Sequence, residues 1–136
     1  METAQPLGDA LQQSIEIRAD LGEVRFGDFT GRTMAELDTD PAWHRFNQHR
    51  SLARAPGGEM MLESQARMVA ELERIRIAHP DATAAVFSHG DIIRAAVLYY
   101  LGMPLDFYER IRIDPASITV VELDPAAQPR VVRLNS

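Results

Sequence analysis

A histidine lies at the junction of two predicted elements, in the stretch Ser88-His89-Gly90-Asp91. The apolar run before it, residues 82–88, is typical of a strand buried on both faces, and the apolar pattern after it, residues 90–101, is typical of a helix. The start of a helix presents free backbone N–H groups and the positive end of the helix dipole, both of which attract anions. The junction therefore predicts a site for an anion such as phosphate.

Two residues of this junction suit phosphate chemistry. Gly90 has no Cβ, so an anion can approach the backbone closely. A protonated His89 directs positive charge at phosphate oxygens, and a neutral His89 can exchange a proton. The alternative interpretation is structural, because a histidine before a glycine at a helix start is often a turn residue that caps neighbouring backbone.

A second candidate group is the carboxylate of Glu23, in the glycine-rich loop 19–33. Such loops often carry functional groups on a rigid scaffold. A carboxyl beside a phosphate pocket has its pKa raised by the anion and can protonate a leaving oxygen as a general acid. The alternative is that Glu23 is a surface loop carboxylate, which is the more common fate of a lone glutamate.

Composition excludes several classes of chemistry. All 14 basic residues are arginine, so the chain has neither a Schiff-base lysine nor a P-loop lysine. It has no cysteine for a disulfide, a thiolate metal site or a nucleophile. The net charge is −6 without clustered basic residues, which predicts no nucleic-acid partner. We also expect no metal site, because His89 and Asp91 lack a third ligand at suitable spacing and a helix N-terminus repels cations.

Length and terminal sequence predict a single cytoplasmic domain. The 136 residues suit one domain, and the first ten residues carry no basic and apolar signal-peptide pattern. The longest apolar stretch, residues 92–101, is interrupted by Arg94 and is too short to span a bilayer. We therefore expect no membrane partner.

Hydrophobic periodicity predicts the elements that must position these groups. Helices are predicted over residues 3–13, 33–38, 40–50, 59–78 and 90–101, and strands over 14–18, 82–88, 117–123 and 130–135. In the helix over 59–78, the polar face is predicted to contain Glu63, Arg67, Glu71 and Arg74. The helix–strand–helix order predicts an α/β layer fold with a largely parallel sheet, with the last two strands as an antiparallel hairpin on its edge.

Three segments resemble motifs of the histidine phosphatase superfamily, also called phosphoglycerate mutase-like. METAQPLG at the start resembles the end of the family's S-P-L-x-R-A-x-E-T-A segment, and LGEVRFGDFTGRT resembles its L-x-E-x-x-x-G-x-x-E-G loop. VFSHGDIIRAA resembles the family's second histidine motif, S-H-G. The PGGE at 56–59, followed by a long helix, also matches in order, and the resemblance extends from Glu2 to about Leu123.

The resemblance implies a three-layer α/β/α fold and a metal-free, cofactor-independent phosphohydrolase that acts on a small phosphorylated substrate. In this family a histidine of an R-H-G motif on the first strand attacks phosphorus and becomes phosphohistidine. A second histidine and two arginines complete the phosphate pocket, and a carboxyl protonates the leaving group. By this resemblance His89 is the second histidine, Glu23 is the acid, and the Gly90 backbone binds a phosphate oxygen.

The chain departs from the family pattern at its nucleophile. It contains no R-H-G, and His44, His49 and His79 do not follow a strand in the required context. We therefore expect residues 1–136 to be the C-terminal portion of one domain, truncated at its N-terminus and lacking the first central strand and the phosphate-binding arginines. The strand over 82–88 would then expose its edge, so we expect the chain alone to be poorly stable and inactive.

Two alternative functions stay open, and a homodimer is allowed. Phosphoglycerate mutase-type phosphoryl transfer is disfavoured because Val24 and Phe26 stand where the mutases have Arg and Tyr. The stretch between Gly27 and Glu59 is also too short for the mutases' substrate-closing insertion. A non-catalytic module that holds phosphate or a phospholigand at His89 is the second alternative.

Overall fold

The structure is a computed structural model that describes residues 2–136. Its α-helices are α1 (Gln5–Leu11), α2 (Met34–Leu37), α3 (Pro41–Gln48), α4 (Met61–Ala78) and α5 (Gly90–Tyr100). Short 3-10 helices cover Ala19–Leu21, Gly27–Phe29 and Leu105–Arg110, and the strands are β1 (Val120–Glu122) and β2 (Arg130–Arg133). None of these helices combines the length and the hydropathy that a membrane crossing requires.

Side-chain caps begin α2 and α3, which lie within the helices predicted over 33–38 and 40–50. The Thr33 hydroxyl accepts a hydrogen bond from the Glu36 backbone N–H, while the Glu36 carboxylate accepts one from the Thr33 N–H at 2.7 Å. This capping box satisfies two donors that the first turn leaves free. The Asp40 carboxylate likewise accepts from the Ala42 N–H at 2.8 Å, directly before a proline at the first helical position.

The core lies between α4, α5 and a group of aromatic rings. Met61 and Met68 of α4 and Ile92 and Leu98 of α5 are buried in one cluster, because each helix directs an apolar stripe at the other. The aromatic rings pack beside this cluster, with neighbouring centroids 5.2–6.3 Å apart; they belong to Phe26, Phe29, Trp43 and Phe46. This packing joins the loop that follows Glu23 to α3.

The polar face predicted for α4 is wrong in part. Glu71 is 1% exposed, and the Arg67 side chain is 12% exposed, although both were expected on the solvent side. Glu71 is ion-paired with Arg18 at 3.2 Å and with Arg74 at 2.7 Å. Buried charges of this kind are retained where a partner is in place, which periodicity alone does not reveal.

The C-terminal hairpin is confirmed, although its strands are shorter than predicted. β1 pairs antiparallel with β2, with Val121 opposite Val131 and Glu122 opposite Arg130. In residues 2–136 this pair is the whole of the regular sheet, so the largely parallel sheet expected from the sequence is not formed within the chain.

The buried strand predicted over residues 82–88 is also wrong for this structure. The segment has no regular secondary structure, no described backbone pairs with it, and most of its residues are exposed, including Phe87 at 44%. The strand predicted over 14–18 is likewise without regular secondary structure and unpaired in the described chain, with Ile17 exposed. A strand needs the N–H and C=O groups of a neighbour, which neither segment finds here.

Two loops pack backbone against backbone and hold the segment that follows Glu23. The Asp28 N–H donates to the Pro56 carbonyl at 2.7 Å, and the Glu59 N–H donates to the Arg25 carbonyl at 2.9 Å. Gly27 has a φ of +54°, and a Cβ built on it would lie 2.1 Å from the Pro56 oxygen. The close approach therefore depends on glycine at this position.

Candidate active site

His89 lies directly before α5, at the end of segment 82–88. Its backbone is extended (φ −108°, ψ 155°), and its carbonyl accepts the Ile93 N–H at 2.9 Å. The imidazole makes no capping hydrogen bond to the helix, so it does not have the structural capping role that the sequence allowed. A Cβ at Gly90 would meet nothing within 4 Å, which shows open space beside the first turn of α5.

Glu23 faces this histidine from the glycine-rich loop. The Glu23 Oε2 lies 3.7 Å from the His89 Nδ1, although the two residues are far apart in sequence. The Glu23 side chain is 38% exposed and that of His89 is 55% exposed, so both remain accessible to a solute. The structure thus brings together the two side chains that the sequence singled out, beside the open N-terminus of a helix.

A side-chain hydrogen bond ties the two segments together next to the pair. The Ser88 hydroxyl donates to the Leu21 carbonyl at 2.7 Å. This bond joins the residue before His89 to the loop two residues before Glu23. It therefore limits how far the two functional groups can separate.

The surroundings of Glu23 raise the pKa of its carboxyl. Burial is the largest cause, and the negative charge of Asp91 adds to it. The hydrogen bond from the Val24 N–H, at 2.8 Å, and the nearby His89 and Arg67 act in the opposite direction without cancelling the rise. A carboxyl with a raised pKa holds its proton to higher pH, as a general acid requires.

We expect this balance to be visible in a titration of Glu23 by carboxyl ¹³C NMR. Asp91→Asn removes a negative neighbour and should lower the pKa of Glu23, whereas His89→Ala removes a group that lowers it and should raise it. Asp124→Asn in the hairpin turn makes the same formal charge change and serves as the control. Equal Glu23 midpoints in all four proteins would contradict the described electrostatics.

Arg50 and Tyr108 lie beside the first turn of α5. The Arg50 guanidinium is buried, lies 4.2 Å from the Tyr108 ring centroid, and places its Nη1 3.8 Å from the Asp91 Oδ2. Arg94 covers the same ring at 4.4 Å. Positive charge near Asp91 offsets the carboxylate that this helix start carries, so the turn is less repulsive to an anion.

Sequence reasoning missed Arg67 and Glu59, which build the loop that carries Glu23. Arg67 donates to backbone carbonyls of that loop and is ion-paired with Glu59 at 2.7 Å. Glu59 was identified only as part of PGGE, and Arg67 only as a polar-face residue. The available signal was their spacing, since they lie eight residues apart around the start of α4.

The other histidines lie elsewhere in the fold. His44 is on α3, with its Nε2 2.7 Å from the Asp38 carbonyl, while His49 follows α3 and His79 follows α4. In residues 2–136, no three His, Cys, Asp or Glu side chains are grouped as metal ligands. The described candidate site is therefore the pair of Glu23 and His89 with the start of α5.

The chain is similar in sequence to mycobacterial proteins. It is 30% identical over 134 residues to the bifunctional protein Rv2228c of Mycobacterium tuberculosis, which covers 96% of this chain and 37% of that protein. It is 28% identical over 114 residues to the glucosyl-3-phosphoglycerate phosphatase of Mycolicibacterium vanbaalenii, which covers 78% of this chain and 51% of the relative. The chain thus spans about a third to a half of the curated relatives it matches.

A solved structure gives the same fold. YhfR of Bacillus stearothermophilus superimposes with a TM-score of 0.88 at 25% identity, over 96% of this chain and 66% of that one. The chain therefore has the α/β fold of phosphoglycerate mutase-like phosphatases. The sequence profile that matches residues 1–136 is that of the histidine phosphatase superfamily (branch 1). The chain belongs to the histidine phosphatase superfamily.

Proposed function

We propose that this chain carries the general acid and one phosphate-binding element of a phosphomonoester hydrolase. The observation that carries the proposal is the approach of Glu23 to His89 at the open start of α5, with 3.7 Å between Oε2 and Nδ1. A phosphoryl group beside α5 would accept hydrogen bonds from the N–H of Gly90 and its neighbours and from the His89 ring. The proposed substrate is a small phosphorylated ester.

Each group has a separate role in the proposed reaction. A nucleophilic histidine attacks phosphorus, the bond to the ester oxygen breaks, and the Glu23 carboxyl donates its proton to that leaving oxygen. Water then attacks the phosphohistidine, with Glu23 as the base, and inorganic phosphate is released. His89 and the Gly90 N–H stabilise the negative charge on the phosphoryl oxygens in both steps.

The attacking histidine is the part of this reaction that the chain does not match. No R-H-G occurs in the sequence, and His44 is engaged with the Asp38 carbonyl on another part of the fold. We therefore propose hydrolysis for an intact parent protein and no turnover for residues 1–136 alone. In that intact protein, the segment 82–88 would be a strand of a parallel sheet that carries His89 at its carboxyl end.

The comparisons support hydrolysis over mutase-type transfer. The Mycolicibacterium vanbaalenii relative is a glucosyl-3-phosphoglycerate phosphatase by name. In this chain Val24 is buried, and Phe26 packs its ring 6.2 Å from that of Phe46. Both positions therefore serve the core and not an acidic substrate. A cytoplasmic location and a homodimer are still predictions.

A non-catalytic phosphate-binding role is the second candidate. Two features favour it: the open space beside Gly90, and the His89 ring, which makes no capping hydrogen bond to α5. Neither feature needs the nucleophilic histidine in order to bind an anion. The two candidates are distinguished by the activity of the intact protein. If this chain belongs to an enzyme, the intact protein hydrolyses a phosphate ester, whereas a binding module does not.

The experiment is a titration of the purified chain with inorganic phosphate, followed by ¹⁵N NMR. We expect the amides of Gly90 and Asp91 and the ring of His89 to shift, and His89→Ala to weaken binding by about tenfold or more, since a charge-assisted hydrogen bond contributes about 1.5–3 kcal/mol. His44→Ala changes a histidine outside the site and should bind phosphate like the unaltered chain. Shifts that survive His89→Ala unchanged would refute the proposal.

Hydrolysis of p-nitrophenyl phosphate is measured on the same samples. We expect none from residues 1–136. A normal enzymatic rate that disappears in His89→Ala would show that the expected inactivity is wrong while supporting the roles proposed for the site.

A further inference from the structure

Arg67 of α4 binds three backbone carbonyls in residues 20–23 of the glycine-rich loop. Its Nη1 donates to the carbonyl of Asp20 at 2.7 Å and to that of Gly22 at 2.8 Å. Its Nη2 donates to the carbonyl of Glu23 itself at 2.9 Å. One guanidinium therefore fixes the backbone on both sides of the Glu23 Cα, from which the side chain extends.

Glu59 fixes Arg67 in turn. Its Oε1 accepts from the Arg67 Nη2 at 2.7 Å, from the Ser64 hydroxyl at 2.6 Å and from the Arg25 N–H at 3.0 Å. The side chains of Glu59 and Arg67 are 8% and 12% exposed, so water screens this ion pair little. The carboxylate thus orients the guanidinium and also holds the chain two residues after Glu23.

We infer that Arg67, held by Glu59, is a positioning residue for the Glu23 carboxyl, and that it acts through the loop backbone and not by contact with substrate. The inference rests on the proposed role of Glu23. Two other contacts anchor residues 20–22, and both are weaker. They are the single Ser88 bond to the Leu21 carbonyl and the Arg74 contact with the Asp20 side chain at 3.3 Å, where Arg74 is 57% exposed.

Lysine cannot replace arginine in this arrangement. The guanidinium directs five N–H donors in a fixed planar fork, and Arg67 uses them on three carbonyls and a carboxylate at once. A lysine ammonium has three donors on one atom and cannot reach the same acceptors together. Arg67→Lys therefore keeps the charge and removes the positioning, which separates the two effects.

The test compares Arg67→Lys with Arg74→Lys, a matched change on the same helix. Arg74 is a suitable control because its described ion pairs are with the side chains of Asp20 and Glu71 and not with the loop backbone. Carboxyl ¹³C NMR follows the titration of Glu23, and the ring signals of His89 report the same step because the two groups are adjacent. In the unaltered chain and in Arg74→Lys, we expect a Glu23 pKa above its ordinary value and a step in the His89 ring signals at the same pH. In Arg67→Lys, we expect the Glu23 pKa to fall towards the ordinary value and the His89 step to disappear.

Two outcomes would overturn the inference. The first is a folded Arg67→Lys protein with the parental Glu23 pKa and His89 step, since a merely structural arginine would lower stability without moving either. The second is measured on the unaltered chain, in case the variant does not fold: fast solvent exchange of the Arg67 Nη protons, with no NOE to residues 20–23. Neither readout uses phosphate or turnover. A failure of the proposed function would therefore show separately, as an absence of phosphate binding in the unaltered chain.

Discussion

Replacing Gly27 with alanine should lower the free energy of unfolding by about 3 kcal/mol or more, measured by urea denaturation at neutral pH. The residue has a left-handed φ of +54°, which alone costs alanine about 1–2 kcal/mol. The added Cβ would also lie 2.1 Å from the Pro56 oxygen and 2.4 Å from the Gly58 nitrogen. Both are backbone atoms, so the overlap can be relieved only by separating the two loops.

Gly31 provides the control for this prediction. It has a φ of +80°, but a Cβ on it would meet nothing within 4 Å. Gly31→Ala should therefore cost only the backbone term of about 1–2 kcal/mol. Equal losses at the two positions would mean that the contact between the loops contributes nothing, and that the segment after Glu23 is held in some other way.

Glu59→Ala should also lower the free energy of unfolding by about 3–5 kcal/mol, which is the usual cost of removing one partner of a buried ion pair. The change leaves the buried hydroxyl of Ser64 and the N–H of Arg25 without the acceptor they share, in addition to Arg67. Glu73→Ala, which breaks a partly exposed pair with Arg76 at 2.8 Å within one turn of α4, should cost less, about 0.5 kcal/mol. Losses of similar size in the two variants would contradict the burial described for Glu59.

The same residue gives a pH dependence with a definite sign. Burial by itself raises the pKa of the Glu59 carboxyl, but the hydrogen bonds from Arg67, Ser64 and Arg25 outweigh it and lower the pKa below its ordinary value of 4.5. The folded chain therefore binds this proton less readily than the unfolded chain. Its contribution to stability is present above pH 4.5 and is lost as the pH falls through the lower, folded pKa. The stability of Glu59→Gln should fall less over this acidic range.

Local sequence signals predicted the elements that depend on neighbouring residues. The capping groups Thr33 and Asp40, the start of α5 at Gly90 and the hairpin of β1 and β2 all follow from patterns of a few residues. Each is stabilised by contacts within one turn of helix or between adjacent strands. Such contacts are present whatever the rest of the chain does.

Features that depend on distant partners could not be predicted in the same way. Glu71 was expected on a solvated face, but Arg18 forms an ion pair with it from another segment, and this pairing offsets the cost of burying the carboxylate. The segment 82–88 has the composition of a buried strand, but pairing and burial require a neighbouring backbone that residues 2–136 do not supply. Periodicity reports what a segment prefers, and it cannot report whether a partner exists.

The candidate site was predicted only in part. The strand-to-helix junction indicated His89 and the glycine-rich loop indicated Glu23, and the resemblance to the superfamily then implied a role for each. The structure places their side chains 3.7 Å apart. Their catalytic roles are still predictions. Arg67 escaped prediction because charged residues on an amphipathic helix are usually solvated. Glu59 escaped it because it lies before α4, and its buried partners come from distant segments.

The long-range bond between Ser88 and Leu21 has a consequence for the order of folding. It closes a segment of 67 residues, whereas α4 and α5 each form from local contacts and are joined by the much shorter segment 79–89. Closing a long loop costs more entropy than forming a helix, so such contacts are formed late on the folding pathway. A partly folded chain can therefore have both helices and no site, and the juxtaposition of Glu23 with His89 reports that folding is complete.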